Sequence, residues 1–327
     1  MIITKTPFRM SFFGGGTDME SYFRENGGAV LSTTFDKYCY VQVRPLPPFF
    51  EYKSELIYSR TERVTDTADI RHPLLRNAMQ MLDLHDLRVT YDADLPARSG
   101  LGTSSSFAVG MLNAFYALKG QYASKQKLAD DAIYLERVLC CEAGGWQDQI
   151  AASFGGLNRI DFTASGYEVH PIIISPERRE RLNGNLLMYF TGFTRLSSEV
   201  QQENAASSPA NKAATLRQMH QLVDEAQAIL TDNGRDLDDF GRLLDVTWQR
   251  KKQTGSRIST GSIDEMYARG MAAGALGGKL LGAGSGGFLV FYVQEDRRES
   301  VRHAMGDLLE IPFRFEDNGT QVLYYRP

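Results

Sequence analysis

The stretch Pro96-Ala97-Arg98-Ser99-Gly100-Leu101-Gly102-Thr103-Ser104-Ser105-Ser106 decides how this chain folds. Before it, Leu87–Tyr91 reads as a strand; after it, Phe107–Leu118 carries apolar residues at helical spacing. A strand, a glycine turn and a helix start, in that order, leave unpaired backbone N–H groups and the positive end of a helix dipole at the loop. Two glycines let an anion approach bare backbone, so the stretch reads as a phosphate loop at residues 100–105. Hydroxyls at 103 to 106 can cap the helix, touch phosphate oxygens or hold Mg²⁺. Capping alone needs one hydroxyl, and four follow the glycines here. No Gly-Lys-Ser/Thr is present, so this is not the Walker pattern.

Working outward, the first half alternates strands and helices. Thr33–Val43, Leu157–Phe162 and Glu168–Ile174 read as strands and Lys127–Glu142 as a helix, with a proline loop over Pro45–Phe50. Pro176 to Gly184 is charged and turn-like, and a soft boundary falls there, giving domains 1–180 and 181–327. The second half opens with the strand Leu186–Thr191. Helices follow near Ser208–Asn233, Leu237–Lys252 and Ser262–Gly274, then a glycine-rich hairpin and terminal strands. The fold class expected is α+β, two domains flanking a cleft.

Hydrophobic residues make up 43% of the 327, enough to bury a substantial core without disulfides or a structural metal. The formal charge of -4 offers no electrostatic footprint for nucleic acid. Cys39, Cys140 and Cys141 have neither the spacing nor the histidines of a zinc set, which suits a reduced, cytoplasmic protein. Apolar runs such as Phe288–Val293 are too short to cross a bilayer, so no membrane partner is expected.

Two further glycine loops occur. Gly282-Ala283-Gly284-Ser285-Gly286-Gly287 matches Gly-x-Gly-x-x-Gly in form but precedes a strand instead of opening a helix. That order argues against a nicotinamide cofactor and for a hairpin turn. Thr6-Pro7-Phe8-Arg9-Met10-Ser11-Phe12-Phe13-Gly14-Gly15-Gly16-Thr17-Asp18 ends a strand-like run in a turn that exposes polar groups; an ordinary Asp turn has the same composition.

Two carboxylates stand in informative places. Glu136 lies on the apolar stripe 129, 132, 133, 136, 139, 140, 143 of its helix, where a buried charge requires a partner. An ion pair to an arginine and a metal ion in a phosphate site are the two readings. Asp148 follows Gly144-Gly145 at a helix start, placed either to cap that helix or to accept a proton.

Together these pieces resemble the GHMP kinase superfamily, whose three motifs occur in order as Thr6–Asp18, Pro96–Ser106 and Lys279–Gly287. The resemblance implies an N-terminal α/β domain with a left-handed β-α-β crossover and a ferredoxin-like C-terminal domain. It implies ATP and Mg²⁺ as cofactors, with Gly100, Leu101, Gly102, Thr103, Ser104 and Ser105 on the nucleotide and Ser104 and Glu136 on the metal. Asp148 corresponds to the aspartate beside the acceptor hydroxyl and Arg9 to its basic companion. Gly15, Gly16, Thr17, Asp18, Gln147, Gly284 and Ser285 fall on the acceptor side. Gly14–Asp18 with Gly145–Gln149 is most similar to bacterial D-glycero-D-manno-heptose 7-phosphate kinases, and fucokinase-like enzymes share part of the pattern.

The expected activity is therefore transfer of phosphate from ATP to the anomeric hydroxyl of a sugar or sugar phosphate, for nucleotide-sugar and surface polysaccharide synthesis. A fucokinase- or galactokinase-like enzyme and a catalytically inactive ligand-binding homologue are the alternatives. The expected partner is a small-molecule sugar, and a homodimer is an allowed assembly. For a distal substrate phosphate, Arg195 at a strand end is favoured over Lys251 and Lys252, which read as a solvated helix end.

Overall fold

The computed structural model describes residues 1–97, 99–192, 209–255, 258–282, 284 and 286–326. Its first layer is built on two long antiparallel strands, β1 (Ile2–Phe13) and β2 (Gly28–Pro45), connected through helix α1 (Glu20–Asn26). Pro7 lacks the N–H a regular ladder needs, and the register shifts between Pro7 and Phe8. Next come β3 (Ser54–Ile57), β4 (Thr61–Val64), helix α2 (Pro73–Met81) and β5 (Leu87–Ala93). β5 pairs antiparallel with β2, and β3 lies parallel to β5, so the path through α2 is a β-α-β crossover.

Helix α3 (Thr103–Leu118) packs on β1 and β2 and is buried nearly all round, because α4 (Lys125–Ile133) and α5 (Gln147–Phe154) cover its other side. The helix expected over Lys127–Glu142 breaks: α4 ends at Ile133, a π-helical turn runs over Tyr134–Leu139, and Cys141 takes a positive φ of 53°. Wide turns of this kind collect at functional sites, and this one carries Glu136. Strands β6 (Leu157–Thr163) and β7 (Gly166–Pro171) complete this part of the sheet. The segment read as a turn, Pro176–Gly184, is instead helix α6. Ser175 caps it by accepting from Arg178 N–H and proline occupies the first turn, a helix start legible in the sequence but masked by its charge.

The second sheet contains β8 (Leu186–Phe190), β9 (Gly277–Leu280), β10 (Phe288–Tyr292) and β11 (Leu309–Glu310). Their spatial order is β11-β8-β10-β9, antiparallel throughout. Numbered along the chain this is 4-1-3-2, the order of a ferredoxin-like sheet. Between β8 and β9 run α7 (Pro209–Thr231), α8 (Asp238–Lys252) and α9 (Gly261–Ala272); α10 (Arg298–Ala304) precedes β11. The chain then returns to the first sheet, where β12 (Phe315–Glu316) pairs with β2 and β13 (Gln321–Tyr325) with β1.

One apolar core joins the two sheets. Phe12 and Phe13 of β1 meet Phe240 of α8 edge to face at 5.3 and 5.1 Å, with Val290 and Tyr292 of β10 in the same cluster. The C-terminal end of β1 is thereby fixed against the first turn of α8, and a cleft opens beside them. Among the described residues no helix is long and apolar enough to cross a membrane.

Candidate active site

The cleft, of about 1080 Å³, runs from the start of α3 to the turn after β1. At its centre the Arg9 guanidinium, 5% exposed, grips Asp148 with two parallel bonds, Nε to Oδ1 at 2.7 Å and Nη2 to Oδ2 at 2.8 Å. Its third nitrogen donates to Gly100 O at 2.6 Å, and Arg9 N–H donates to Leu101 O. One strand residue therefore ties the phosphate loop to the first turn of α5. The cap reading of Asp148 gives way, since Trp146 is the N-cap and the carboxylate is turned onto Arg9.

The hydroxyls of the phosphate loop divide their work. The N-cap of α3 is Gly102, left-handed at φ 73°, with no side-chain cap, so the hydroxyl-cap reading also gives way. Ser104 stands exposed in the cleft, and Thr103 lines it too. Ser105 Oγ donates to Glu136 Oε2 at 2.7 Å, and Ser106 Oγ donates to Pro7 O. Leu101 is wholly buried in the core and serves the loop through its backbone.

Glu136, 1% exposed, also accepts from Gln149 Nε2, while Arg137 Nη2 stands off at 3.9 Å. Burial pushes the Glu136 carboxyl above its ordinary range, against the pull of Arg137, Ser105 and Gln149. The arginine pairing is thus present as a long contact, and it is the largest of the three pulls that oppose burial. Both hydrogen bonds fall on Oε2, and among the described residues Oε1 receives none.

Asp18, 3% exposed, is pinned by Gly16 N–H at 2.8 Å and Gln147 Nε2 at 2.9 Å. Burial raises its pKa, and Asp148 nearby raises it further. A Cβ on Gly145 would lie 1.8 Å from Asp18 Oδ2, so glycine is required where the second loop meets the first. Gly15, Gly16, Asp18 and Gln147 line the cleft. Thr17 does not: its hydroxyl is buried and bonded to Gly14 O and Ala29 O, which makes it a turn-holding group.

The third motif closes the cleft by backbone contact. A Cβ on Gly282 would come within 2.3 Å of Gly100 Cα, and one on Gly287 within 2.1 Å of Ser99 O. Gly284 is buried behind Ile258, which lines the cleft where Gly284 itself does not. Ser285 and Arg195 lie outside the described residues.

Three groups that the sequence reading passed over or set second also face the cleft. Among the described residues Ser11 Oγ is buried without a hydrogen-bond partner, as is Gln147 Oε1. Ser11 lies two residues from Arg9 on the same face of β1, a period-2 signal that could have found it. Lys279 of β9 is buried and donates to Ser11 O and Phe12 O at 2.8 and 2.7 Å. Lys251 continues the buried stripe Phe240, Leu244, Thr247, Trp248 of α8 and turns into the cleft, where its Nζ donates to Gly282 O. It is no solvated helix end, whereas Lys252 pairs with Asp264 outside. At the far end of the cleft Tyr58, His72, Phe107 and Tyr91 form a chain of edge-to-face rings at 4.7 to 5.6 Å.

A fold of this order with a glycine phosphate loop at a helix start defines a class. The GHMP kinase N-terminal domain model matches residues 69–156 and the C-terminal domain model residues 221–311, together more than half of the chain. The chain belongs to the GHMP kinase family and is a kinase. It is 28% identical to the D-glycero-alpha-D-manno-heptose 7-phosphate kinase of Campylobacter jejuni over 93% of each chain. It is 26% identical to the L-fucokinase/L-fucose-1-P guanylyltransferase of Bacteroides fragilis, over 91% of this chain and 35% of that one. Among solved structures, a D-glycero-D-manno-heptose 1-phosphate kinase from Bacteroides thetaiotaomicron superposes over 100% of both chains with a TM-score of 0.81 and 24% identity.

Proposed function

We propose that this kinase transfers the γ-phosphate of ATP to the anomeric hydroxyl of a sugar, with D-glycero-D-manno-heptose 7-phosphate as the acceptor, for nucleotide-sugar and surface polysaccharide synthesis. The observation that carries the reading is the bidentate Arg9–Asp148 pair, fastened to the phosphate loop through Gly100 O and sharing its cleft with Asp18. The substrate in the name of the Campylobacter jejuni relative supports the choice of acceptor.

Phosphoryl transfer asks mainly for positioning and charge neutralisation. Backbone N–H groups of residues 100–105 face the phosphates at the start of α3, and the ring chain of Tyr58, His72, Phe107 and Tyr91 suits a nucleobase. Ser104 and Glu136 would hold Mg²⁺: both line the cleft, both offer the hard oxygen ligands the ion prefers, and Glu136 Oε1 is left to it. When bound, the ion neutralises phosphate charge. The buried Glu136 carboxylate is a charge that such a cation would match.

On the acceptor side, Asp148 accepts the proton of the attacking hydroxyl while Arg9 keeps its carboxylate aimed. Ser11 Oγ and Gln147 Oε1 are buried polar atoms without partners among the described residues, and a polyhydroxylated ligand would satisfy them. Asp18, already oriented by Gly16 and Gln147, accepts from a second hydroxyl. An ADP-release screen over heptose 7-phosphate, free heptose, mannose, fucose and galactose tests the proposal. The highest kcat/KM is expected on heptose 7-phosphate. Preference for a free sugar would move the acceptor to the fucokinase or galactokinase class, and ATP binding without turnover on any sugar would overturn the activity.

A further inference from the structure

We propose that Lys251 is a catalytic residue delivered by the second half of the chain, donating hydrogen bonds to the phosphoryl group as it passes from ATP to acceptor. The inference rests on the kinase reading above and adds to the phosphate loop, Arg9 and Asp148 a group they do not include.

The position carries the argument. Lys251 lies in the last turn of α8, and its Nζ donates to Gly282 O, whose residue lies backbone to backbone against Gly100 of the phosphate loop. From there it interacts electrostatically with Arg9, Asp18 and Asp148. The ammonium thus stands where the phosphate loop meets the two acceptor-side carboxylates, which is where a phosphoryl group must pass. The apolar stripe of α8 explains how it comes to be there, since Trp248 and Leu244 bury the same face in the core.

The neighbouring cations are committed elsewhere. Arg9 spends three nitrogens on Asp148 and Gly100 O. Lys279 is held by Ser11 O and Phe12 O, and Arg137 by Gly145 O and Glu142 O. Lys251 has three N–H donors, and Gly282 O takes one. Burial brings its pKa down to about 8, with Arg9 pushing the same way and Asp18 and Asp148 opposing. A half-buried ammonium so placed, with donors to spare, is completed by an anion. The transferring group, with charge spread over three equatorial oxygens, supplies one.

In the step itself the acceptor oxygen bonds to phosphorus, and the bond from phosphorus to the ADP oxygen breaks with its electron pair leaving on ADP. The hydroxyl proton goes to Asp148, and Lys251 keeps its three protons throughout. The competing role is a tether between α8 and the third glycine loop.

The test measures binding of MgADP and of MgADP with aluminium fluoride, a mimic of the transferring group, to wild type, Lys251→Met, Lys251→Arg and Lys252→Met. Lys251→Met should lose about 10-fold or more in affinity for the fluoride complex and little for ADP, with kcat down about 10². Lys251→Arg should recover part of both, and Lys252→Met should match wild type. The wild-type kcat/KM should fall above about pH 8 as Lys251 titrates among Arg9, Asp18, Asp148 and Lys279, and Lys251→Met should lack that limb. Equal losses on ADP and on the fluoride complex, with a lowered Tm, would make Lys251 a tether and overturn the proposal, as would unchanged binding. A raised acceptor KM at unchanged kcat would assign it to the acceptor instead. Failure of wild type itself to bind MgADP would overturn the kinase reading, a result separate from any difference among variants.

Discussion

Asp148 and Glu136 belong to one cleft, yet their surroundings ask different things of them. Asp148 has both oxygens on Arg9, an exposed edge and a place in the cleft lining. Asp148→Asn keeps the size and one of the two bonds to Arg9, so it should fold and bind ATP while kcat at saturating sugar drops by ~10² or more. Retention of most of kcat would remove it from the proton transfer. Glu136 is raised by burial, so the folded protein holds this proton more tightly than the unfolded chain does. The cost of its charge is absent below the ordinary value of 4.5 and grows as pH rises from there toward the raised value. Glu136→Gln removes that charge and can keep the bonds from Ser105 and Gln149, since both fall on one oxygen. Without metal the variant should melt above wild type at pH 8, with the gap closing toward pH 4.5. MgADP should then stabilise wild type more than the variant. A gap that ignores pH would mean Arg137 already matches the charge.

At the scale of elements, the glycines of the third motif work as a joint between two loops. Gly282 has φ 83° and no room for a Cβ against Gly100. Gly282→Ala should therefore cost about 2 kcal/mol or more in denaturant unfolding and weaken MgADP binding as well. Gly261, the first residue of α9, has open space where a Cβ would go and an ordinary φ. Gly261→Ala should be neutral or stabilising by up to about 1 kcal/mol. Equal losses at both sites would mean that the loop contact contributes nothing. The strand–loop–helix order around 96–118 was legible because glycine, hydroxyl and apolar spacing are local signals. The π turn at Tyr134–Leu139 was not, since the stripe through Glu136 keeps helical spacing on both sides of the break. That turn packs against α2 and α3, and its Glu136 accepts from Gln149, 13 residues further on, contacts that periodicity treats as separate.

For the whole molecule, the proposed division at 180/181 is one of topology, and the chain crosses it again when β12 and β13 return to the first sheet. Phe12, Phe13 and Phe240 meet in one core across that division. A single calorimetric transition is therefore expected, and Phe240→Ala should cost about 3–5 kcal/mol and lower the whole transition. Two separated transitions, one unmoved by the substitution, would show that the halves fold independently.

The sequence by itself determined the three glycine loops, their order and most of the strands and helices, because backbone conformation and apolar period are written in neighbouring residues. It also placed Arg9, Asp18, Glu136 and Asp148 in segments that the fold brings together. Only the tertiary structure decided which of those side chains meet. Thr17 turned inward to hold its own turn, Ser105 and not Ser104 met Glu136, and Lys251 turned into the cleft onto Gly282 O while Lys252 turned to Asp264. The reason is physical: a side chain's partner is fixed by the packing of segments far apart in the chain, here β1 on α8 and Gly100 on Gly282, and no local pattern encodes that distance.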